Sequence, residues 1–222
     1  MRPSSFESTA IYTVVHISKG VIEMMEWWLV RHGLTEWNTQ RKYQGHSDLE
    51  LLPGDACGLL GLREELAGVL FSAVFSSDLL RCRQTLSFAR PDLVLGSTTD
   101  PRLREMNFGA WEGKTYDMLK DLAVYRTWID DPKAVTPPEG ESWHSFQERV
   151  AEMGEELLAI SKRFAEVTDN VRLLVITHGG VIAMLSALLQ PGLGFWNTRV
   201  SPGGVFRLEL MPNASISHDL LY

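Results

Sequence analysis

The chain predicts an α/β protein, a single-domain three-layer α/β/α sandwich around a mainly parallel central sheet, with a small aromatic cap. Three observations carry that expectation. Short apolar-rich runs at 27–30, 73–75, 93–95, 172–177 and 205–210 alternate with segments of helical periodicity. The runs read as continuously apolar, as strands buried on both faces do. Two of them, Trp27-Trp28-Leu29-Val30 and Leu173-Leu174-Val175-Ile176, lead into the same dipeptide, His32-Gly33 and His178-Gly179. Glycine after an apolar run marks a tight turn, and the carboxyl ends of strands in open α/β sheets are where ligands bind.

Taken in order, residues 1–24 are an N-terminal extension with no assigned role and 25–222 form the domain. Ala10 to Ile17 is interrupted by Thr13 and His16 and lacks a small-residue cleavage site, so no signal peptide is expected. After the first strand a polar stretch runs to Gly54, and Leu59, Leu62, Leu66, Val69 and Leu70 form one face of a helix. Ala73-Val74-Phe75 is the second strand. Asp78 or Ser77 is placed to cap a helix through Arg81, Gln84 and Phe88. Pro91 ends that helix, and Leu93-Val94-Leu95 predicts a third strand. A helix is expected over Tyr116 to Trp128, then a loop at Pro132, Pro137 and Pro138. Phe146, Val150, Met153, Leu157, Ile160 and Phe164 recur at helical spacing and form a core stripe. Arg172 to Thr177 is the second histidine-bearing strand, an apolar helix covers Val181 to Leu189, and Val205 to Leu210 closes the sheet.

Composition narrows the partners. With 222 residues, 45% hydrophobic and 22% charged, the chain has ordinary globular values. Its formal charge of −7 argues against a broad nucleic-acid or anionic-membrane surface while leaving room for a local basic pocket. No apolar stretch approaches the ~18 residues of a membrane span. Cys57 and Cys82 are too few for a disulfide framework or a cysteine zinc site, and the simplest compartment is a reducing cytoplasm. No HExxH or other metal spacing occurs, so neither metal nor cofactor is expected.

Three strand ends therefore carry polar groups on one sheet edge: Arg31-His32, Ser76 to Arg81, and His178. That set suits an anionic phosphoryl group. Arg31 and Arg81 offer planar forks for phosphate oxygens. His178 can add a donor, and the helix that Gly179 opens turns backbone N–H groups toward an anion. His32 is the candidate nucleophile, since neutral imidazole attacks phosphorus and a phosphohistidine divides one hard displacement into two easier ones. Such chemistry also needs an acid for the leaving oxygen.

The segments LVRHGLTEWN (29–38), QGHSD (44–48), SSDLLRCRQT (76–85), LREMNFGAWEG (103–113) and THGG (177–180) supply the rest. In that order they resemble the histidine phosphatase superfamily, and within it the bacterial phosphoglycerate-mutase-like phosphatases, including alpha-ribazole phosphatases and broad-specificity phosphatases. The resemblance implies that His32 is the phosphorylated histidine, that Arg31, Arg81 and His178 form the phosphate pocket, and that Asn38 joins them. It implies that Glu105 protonates the leaving alkoxide and later activates water, all without a metal. Two arginines nearby hold a carboxylate ionised, so a bound phosphate dianion is needed to favour the protonated Glu105 that turnover starts from. Residues 49–54, Leu-Glu-Leu-Leu-Pro-Gly, are one residue shorter than the stretch usual in the family.

The reading is a phosphomonoester hydrolase acting on a small-molecule phosphate ester, as a monomer or homodimer. Phosphoglycerate mutase is the alternative, disfavoured because mutases of the family carry longer insertions before the second histidine motif. An inactive module that binds phosphorylated ligands is another, disfavoured because His32, Arg81, Glu105 and His178 are all present. The Pro-Pro-Glu-Gly-Glu-Ser run (137–142) and FGAWEG are like those of alpha-ribazole phosphatases, enzymes of cobalamin biosynthesis. Trp111, Tyr116, Trp128, Trp143 and His144 are expected around the mouth of the site, either to stack on substrate or as the core of the cap. Thr35 is read as loop support, His46 as a solvated loop residue, Cys57 and Cys82 as packing, and His16 and His218 as without a role. Leu208, Leu210, Leu220 and Leu221 are left to bury against the core or a partner.

Overall fold

A computed structural model describes residues 24–190 and 192–217; the extension before Met24, with His16, and the terminal His218, Leu220 and Leu221 lie outside the described residues. Five strands are present: β1 Met24–Arg31, β2 Ala73–Ser76, β3 Thr98–Thr99, β4 Asn170–Thr177 and β5 Val205–Leu210. They lie in the order β3-β2-β4-β1-β5, every neighbouring pair parallel except β1 with β5. The helices are α1 Glu36–Thr39, α2 Leu60–Leu66, α3 Leu80–Ala89, α4 Tyr116–Leu119, α5 Ala123–Asp130, α6 Trp143–Ala165 and α7 Gly179–Leu189.

The centres of β1, β2 and β4 are buried on both faces, so they need apolar side chains at successive positions, whereas the edge strands β3 and β5 expose polar ones. Trp27 and Leu29 of β1, with Leu173 and Val175 of β4, pack beneath α6 and α7. Trp28 and Val30, with Leu174 and Ile176, face α2 and α3. The alternation of strand side chains thus divides one continuous apolar run between two cores. The buried indole of Trp27 donates to Ser161 Oγ at 2.9 Å, so the wide ring enters the core with its polar atom satisfied. Leu208 and Leu210 are buried in the protein's own core.

Register decides where the chain leaves the sheet. Arg31 pairs with Thr177, and Ser76 with Ile176. His32 N–H then bonds to Thr177 O at 3.0 Å and Ser77 N–H to Ile176 O at 2.9 Å. His32, Ser77 and His178 therefore exit three adjacent strands in one row.

Four expectations change. Leu93 to Leu95 is not a strand: Pro91–Gly96 is a 3₁₀ helix and the third strand is Thr98–Thr99. Pro91 presets a helical φ at its start, and a run of three apolar residues is too short to hold a strand against that. Only Leu93 packs inward, while Leu95 is wholly exposed. The helix from Leu59 stops at Leu66, because Gly68 turns the chain at φ +71 and leaves Leu70 exposed. The helix expected over Tyr116 to Trp128 is two helices, α4 and α5, broken where Leu122 is extended (φ −82°, ψ 121°). The break lets Leu119, Tyr125 and Trp128 converge with Trp111 into a small core of their own. Neither Ser77 nor Asp78 caps α3 through its side chain at the N-cap position, which Leu79 occupies. Asp48, from the 44–48 loop, takes the Leu80 N–H at 2.7 Å, and Asp78 is held by Arg104.

Candidate active site

The two histidines reach the site by the same local route, a strand end followed by glycine, and their rings meet edge-on with centroids 5.1 Å apart. His32 is buried, and its Nδ1 lies 2.7 Å from Gly33 O. A carbonyl only accepts, so Nδ1 carries the proton and Nε2 keeps its lone pair. Burial, with Arg81 and Arg31 nearby, holds the ring well below its usual pKa and hence neutral. Gly33 is required: a Cβ there would lie 2.9 Å from Cys57 O, and its N–H donates to Thr85 Oγ1.

His178 Nδ1 is 3.2 Å from Arg81 Nη2, and Nε2 is 3.0 Å from Ser77 Oγ. A guanidinium only donates, so Nδ1 accepts and Nε2–H points to Ser77. Both ring nitrogens thus have protein partners. Burial, then Arg81 and His32, keep this ring neutral too.

Arg81 is completely buried yet bonded mainly to uncharged groups: Nη1 to Ser47 O at 2.9 Å and Nη2 to Gly45 O at 2.7 Å. Arg31 donates from Nη1 to Val200 O at 2.8 Å. Among the described residues neither guanidinium forms an ion pair, and the Nε of each is buried without a hydrogen-bond partner. A buried cation without a counter-charge is costly, and an anion with several acceptor oxygens compensates both defects at once. In a chain of net charge −7 this local excess of positive charge marks an anion site. Asn38 lines a groove with Arg31: its Oδ1 accepts from Thr35 N–H at 3.1 Å, which leaves the amide NH₂ as a donor there. Thr35 is buried, caps α1 and lies 2.6 Å from Gln44 Oε1, the loop-supporting role expected of it.

Glu105 lies across the row. Oε1 accepts from Met106 N–H at 3.0 Å and Oε2 from Gly180 N–H at 2.9 Å, at the start of α7. A Cβ on residue 180 would fall 2.2 Å from Glu105 Oε1, so the second glycine of THGG makes room for the carboxyl. The Cβ position of Gly179 is 3.5 Å from the Arg31 guanidinium, which packs against that turn.

Sequence reasoning missed the residues that hold these loops. Glu112 accepts from the N–H groups of His46 at 2.8 Å and Ser47 at 2.7 Å, from Phe108 N–H at 3.2 Å and from the Ser47 hydroxyl. Arg149 binds Glu141 through two bonds and donates to the carbonyls of Arg102, Arg104 and Glu105. The signal was present in the motifs, since Glu112 ends FGAWE and Glu141 lies in the Pro-Pro-Glu-Gly-Glu-Ser run. Glu112 meets His46 and Ser47 66 and 65 residues away, and Arg149 meets its three carbonyls 44 to 47 residues away, beyond any local pattern. Ser77 and Cys82 were also missed as neighbours of His178; Cys82 Sγ is 3.5 Å from Nε2. Burial pushes that thiol up to about 12, which fits the packing role read from the sequence.

The aromatic residues separate into two sets. Trp111 and Trp128 are buried in the cap core rather than at the mouth. Tyr116 is exposed and lines the groove with Arg31, Asn38, Arg41 and Lys42. Trp143 packs under Phe195 and Trp196, and the exposed His144 pairs with Glu148. His46 is half-buried with Nε2 unpartnered, not solvated as expected. Among the described residues no three His, Cys, Asp or Glu side chains gather to hold a metal, and no helix is long and apolar enough to cross a membrane.

A sheet edge bearing two neutral histidines, one buried and one half-buried guanidinium without ion pairs, and a facing carboxyl defines a phosphate-handling enzyme. The chain belongs to the histidine phosphatase superfamily (branch 1), whose model matches residues 27–218, and it is a phosphatase of that family. It is 33% identical over 183 residues to the adenosylcobalamin/alpha-ribazole phosphatase of Escherichia coli K12, covering 81% of this chain and 87% of the relative. It is 32% identical to a probable phosphoglycerate mutase, GpmB, of Yersinia pestis, over 75% of each chain. The alpha-ribazole phosphatase structure from Shigella flexneri superposes with a TM-score of 0.72 at 28% identity, covering 87% of this chain and 95% of that one.

Proposed function

We propose that this phosphatase hydrolyses small phosphate monoesters without a metal, through a phosphohistidine on His32. The observation that carries the reading is the His32 tautomer: the Gly33 carbonyl fixes the proton on Nδ1, and Nε2 of the neutral ring keeps its lone pair beside two guanidiniums without ion pairs. Arg31, Arg81, His178, the Asn38 amide and the Gly179 N–H hold the phosphoryl oxygens. Nε2 attacks phosphorus as the bond to the leaving oxygen breaks, and protonated Glu105 delivers its proton to that oxygen. Water then attacks the phosphohistidine, Glu105 takes the water proton, and Nε2 leaves with its electron pair. The N–P bond replaces one ester bond and is itself replaced by the bond to water, so the products are the alcohol and inorganic phosphate.

Alpha-ribazole phosphate is the substrate we favour, on the strength of the relatives named above. The test is kcat/KM in EDTA on alpha-ribazole phosphate, 3-phosphoglycerate, sugar phosphates, nucleotides and phosphoserine, with His32→Ala as control. Wild-type turnover that His32→Ala abolishes, and phosphate trapped on His32 in a quenched reaction, are expected. Transfer of phosphate within phosphoglycerate in place of its release identifies a mutase. Binding without turnover identifies a phospho-ligand module and overturns the hydrolase reading.

A further inference from the structure

Glu105 gives its proton to the leaving oxygen in the proposed reaction, so the body of the leaving alcohol starts beside Glu105 and Gly180. A groove of about 330 Å³ opens there, walled by Arg31, Gly180, Thr198, Trp196 and Arg199. Its floor carries no side chain at Gly179 or Gly180, and its near wall is the same Arg31 that faces the phosphate site. The groove thus shares Arg31 with the phosphate site and Gly180, whose N–H holds the Glu105 carboxyl, with the acid.

The far wall is unusual. Trp196 is 64% exposed. It is nevertheless fixed in orientation: the buried Trp143 stacks behind it at 5.9 Å and 27°, and Phe195 meets its edge at 4.7 Å. A wide apolar ring held face-out beside a reaction centre presents a rigid stacking surface, which costs little entropy to use. Arg199 is exposed and forms no ion pair among the described residues, and Thr198 Oγ1 is buried without a hydrogen-bond partner. A planar heteroaromatic group against Trp196 gives the guanidinium a second face to cover and the hydroxyl a polar edge to meet. The groove on the other flank of Arg31, with Arg41, Lys42 and Tyr116, is cationic and opens at Asn38, away from Gly180.

We propose that the Trp196 groove is a leaving-group subsite for phosphate monoesters whose alcohol carries a heteroaromatic ring, of the nucleoside type, with Trp196 as its specificity-determining residue. The inference rests on the proposed phosphomonoesterase reading and names the substrate class within it. Adenosine 5′-monophosphate and ribose 5-phosphate test it, because they share a primary leaving oxygen and differ in the base. Base stacking of this kind supports a preference of about tenfold or more in kcat/KM for the nucleotide. Trp196→Ala removes that preference through KM and leaves ribose 5-phosphate turnover unchanged, while Trp196→Phe keeps most of it. Equal losses on both esters, or a preference that survives Trp196→Ala, overturn the proposal; a preference lost on Arg41→Ala instead assigns the ring to the cationic groove.

Titrating both esters onto His32→Ala separates binding from chemistry. Tighter binding of the nucleotide, abolished by Trp196→Ala in that background, supports the subsite even if the wild type turns over neither ester. That result refutes only the hydrolase reading. Equal binding of both esters overturns the subsite whatever the turnover.

Discussion

His32, Ser77 and His178 are placed by the β-ladder, whereas Glu105, the 44–48 loop and the Trp196 groove are placed by side chains that grip loop backbone. In the first region the pairing of Arg31 with Thr177 and of Ser76 with Ile176 fixes three chain exits in one row, with a buried sheet behind them. In the second, Glu112 accepts four hydrogen bonds from residues 46–47 and 108, and Arg149 ties down the carbonyls of Arg102, Arg104 and Glu105 itself. Ladder geometry tolerates surface change because many backbone bonds share it. A loop held by one carboxylate depends on that carboxylate. The two histidines thus stand on ladder geometry, and Glu105 and the 44–48 loop on side-chain contacts that substitution can retune.

The buried Arg81 side chain touches both regions, through Gly45 and Ser47 on one side and His178 on the other. Arg81→Ala is expected to cost about 2–4 kcal/mol of transition-state stabilisation, as the loss of a preorganised charged donor does. It is read as a fall in kcat/KM on any substrate the enzyme turns over. A wild-type value would show that the strand row alone grips the phosphate.

Glu112→Ala tests the loop side alone. Three backbone N–H groups and one hydroxyl lose their acceptor, so unfolding free energy should fall by about 1–3 kcal/mol. The cost to catalysis should be smaller than for Arg81→Ala and appear in KM more than in phosphohistidine formation. Urea melts and single-turnover trapping measure the two separately, and an equal loss in both variants would erase the distinction drawn here.

The smallest effect concerns pH and the ladder side. Both histidines lie well below the ordinary value of 6.5 when folded. As pH falls below 6.5, the unfolded chain takes up protons that the folded rings refuse, so unfolding becomes easier. Their contribution is complete above 6.5 and is lost as pH falls through the folded values. The urea midpoint should therefore drop more steeply on acidification in the wild type than in His32→Asn; parallel slopes would mean that the ring is not held neutral by burial.

Much of this was legible in the chain because it depends on local pattern. The apolar runs that end in His-Gly gave strands, turns and the position of both histidines, and the motif order gave Arg31, Arg81, Asn38 and Glu105 as candidates. Where local rules failed, a distant group had intervened. The Leu80 N–H is taken by Asp48, 32 residues earlier, so no adjacent side chain was needed as a cap. The tail of the expected Tyr116–Trp128 helix bent because its aromatic residues had a third partner in Trp111.

The amino-acid sequence by itself determined the layer order, the strand ends and the kind of chemistry, since periodicity, glycine turns and residue type act over a few neighbours. Tertiary structure alone decided the charge states and the direction of each donor. Whether His32 is neutral depends on burial and on Arg81, 49 residues on in the chain; which nitrogen of His178 accepts depends on Arg81 and Ser77; and the orientation of Trp196 depends on Trp143 stacked against it, 53 residues earlier. Electrostatics and packing are set by what lies close in space, and a chain folded into parallel strands brings together residues its sequence keeps far apart.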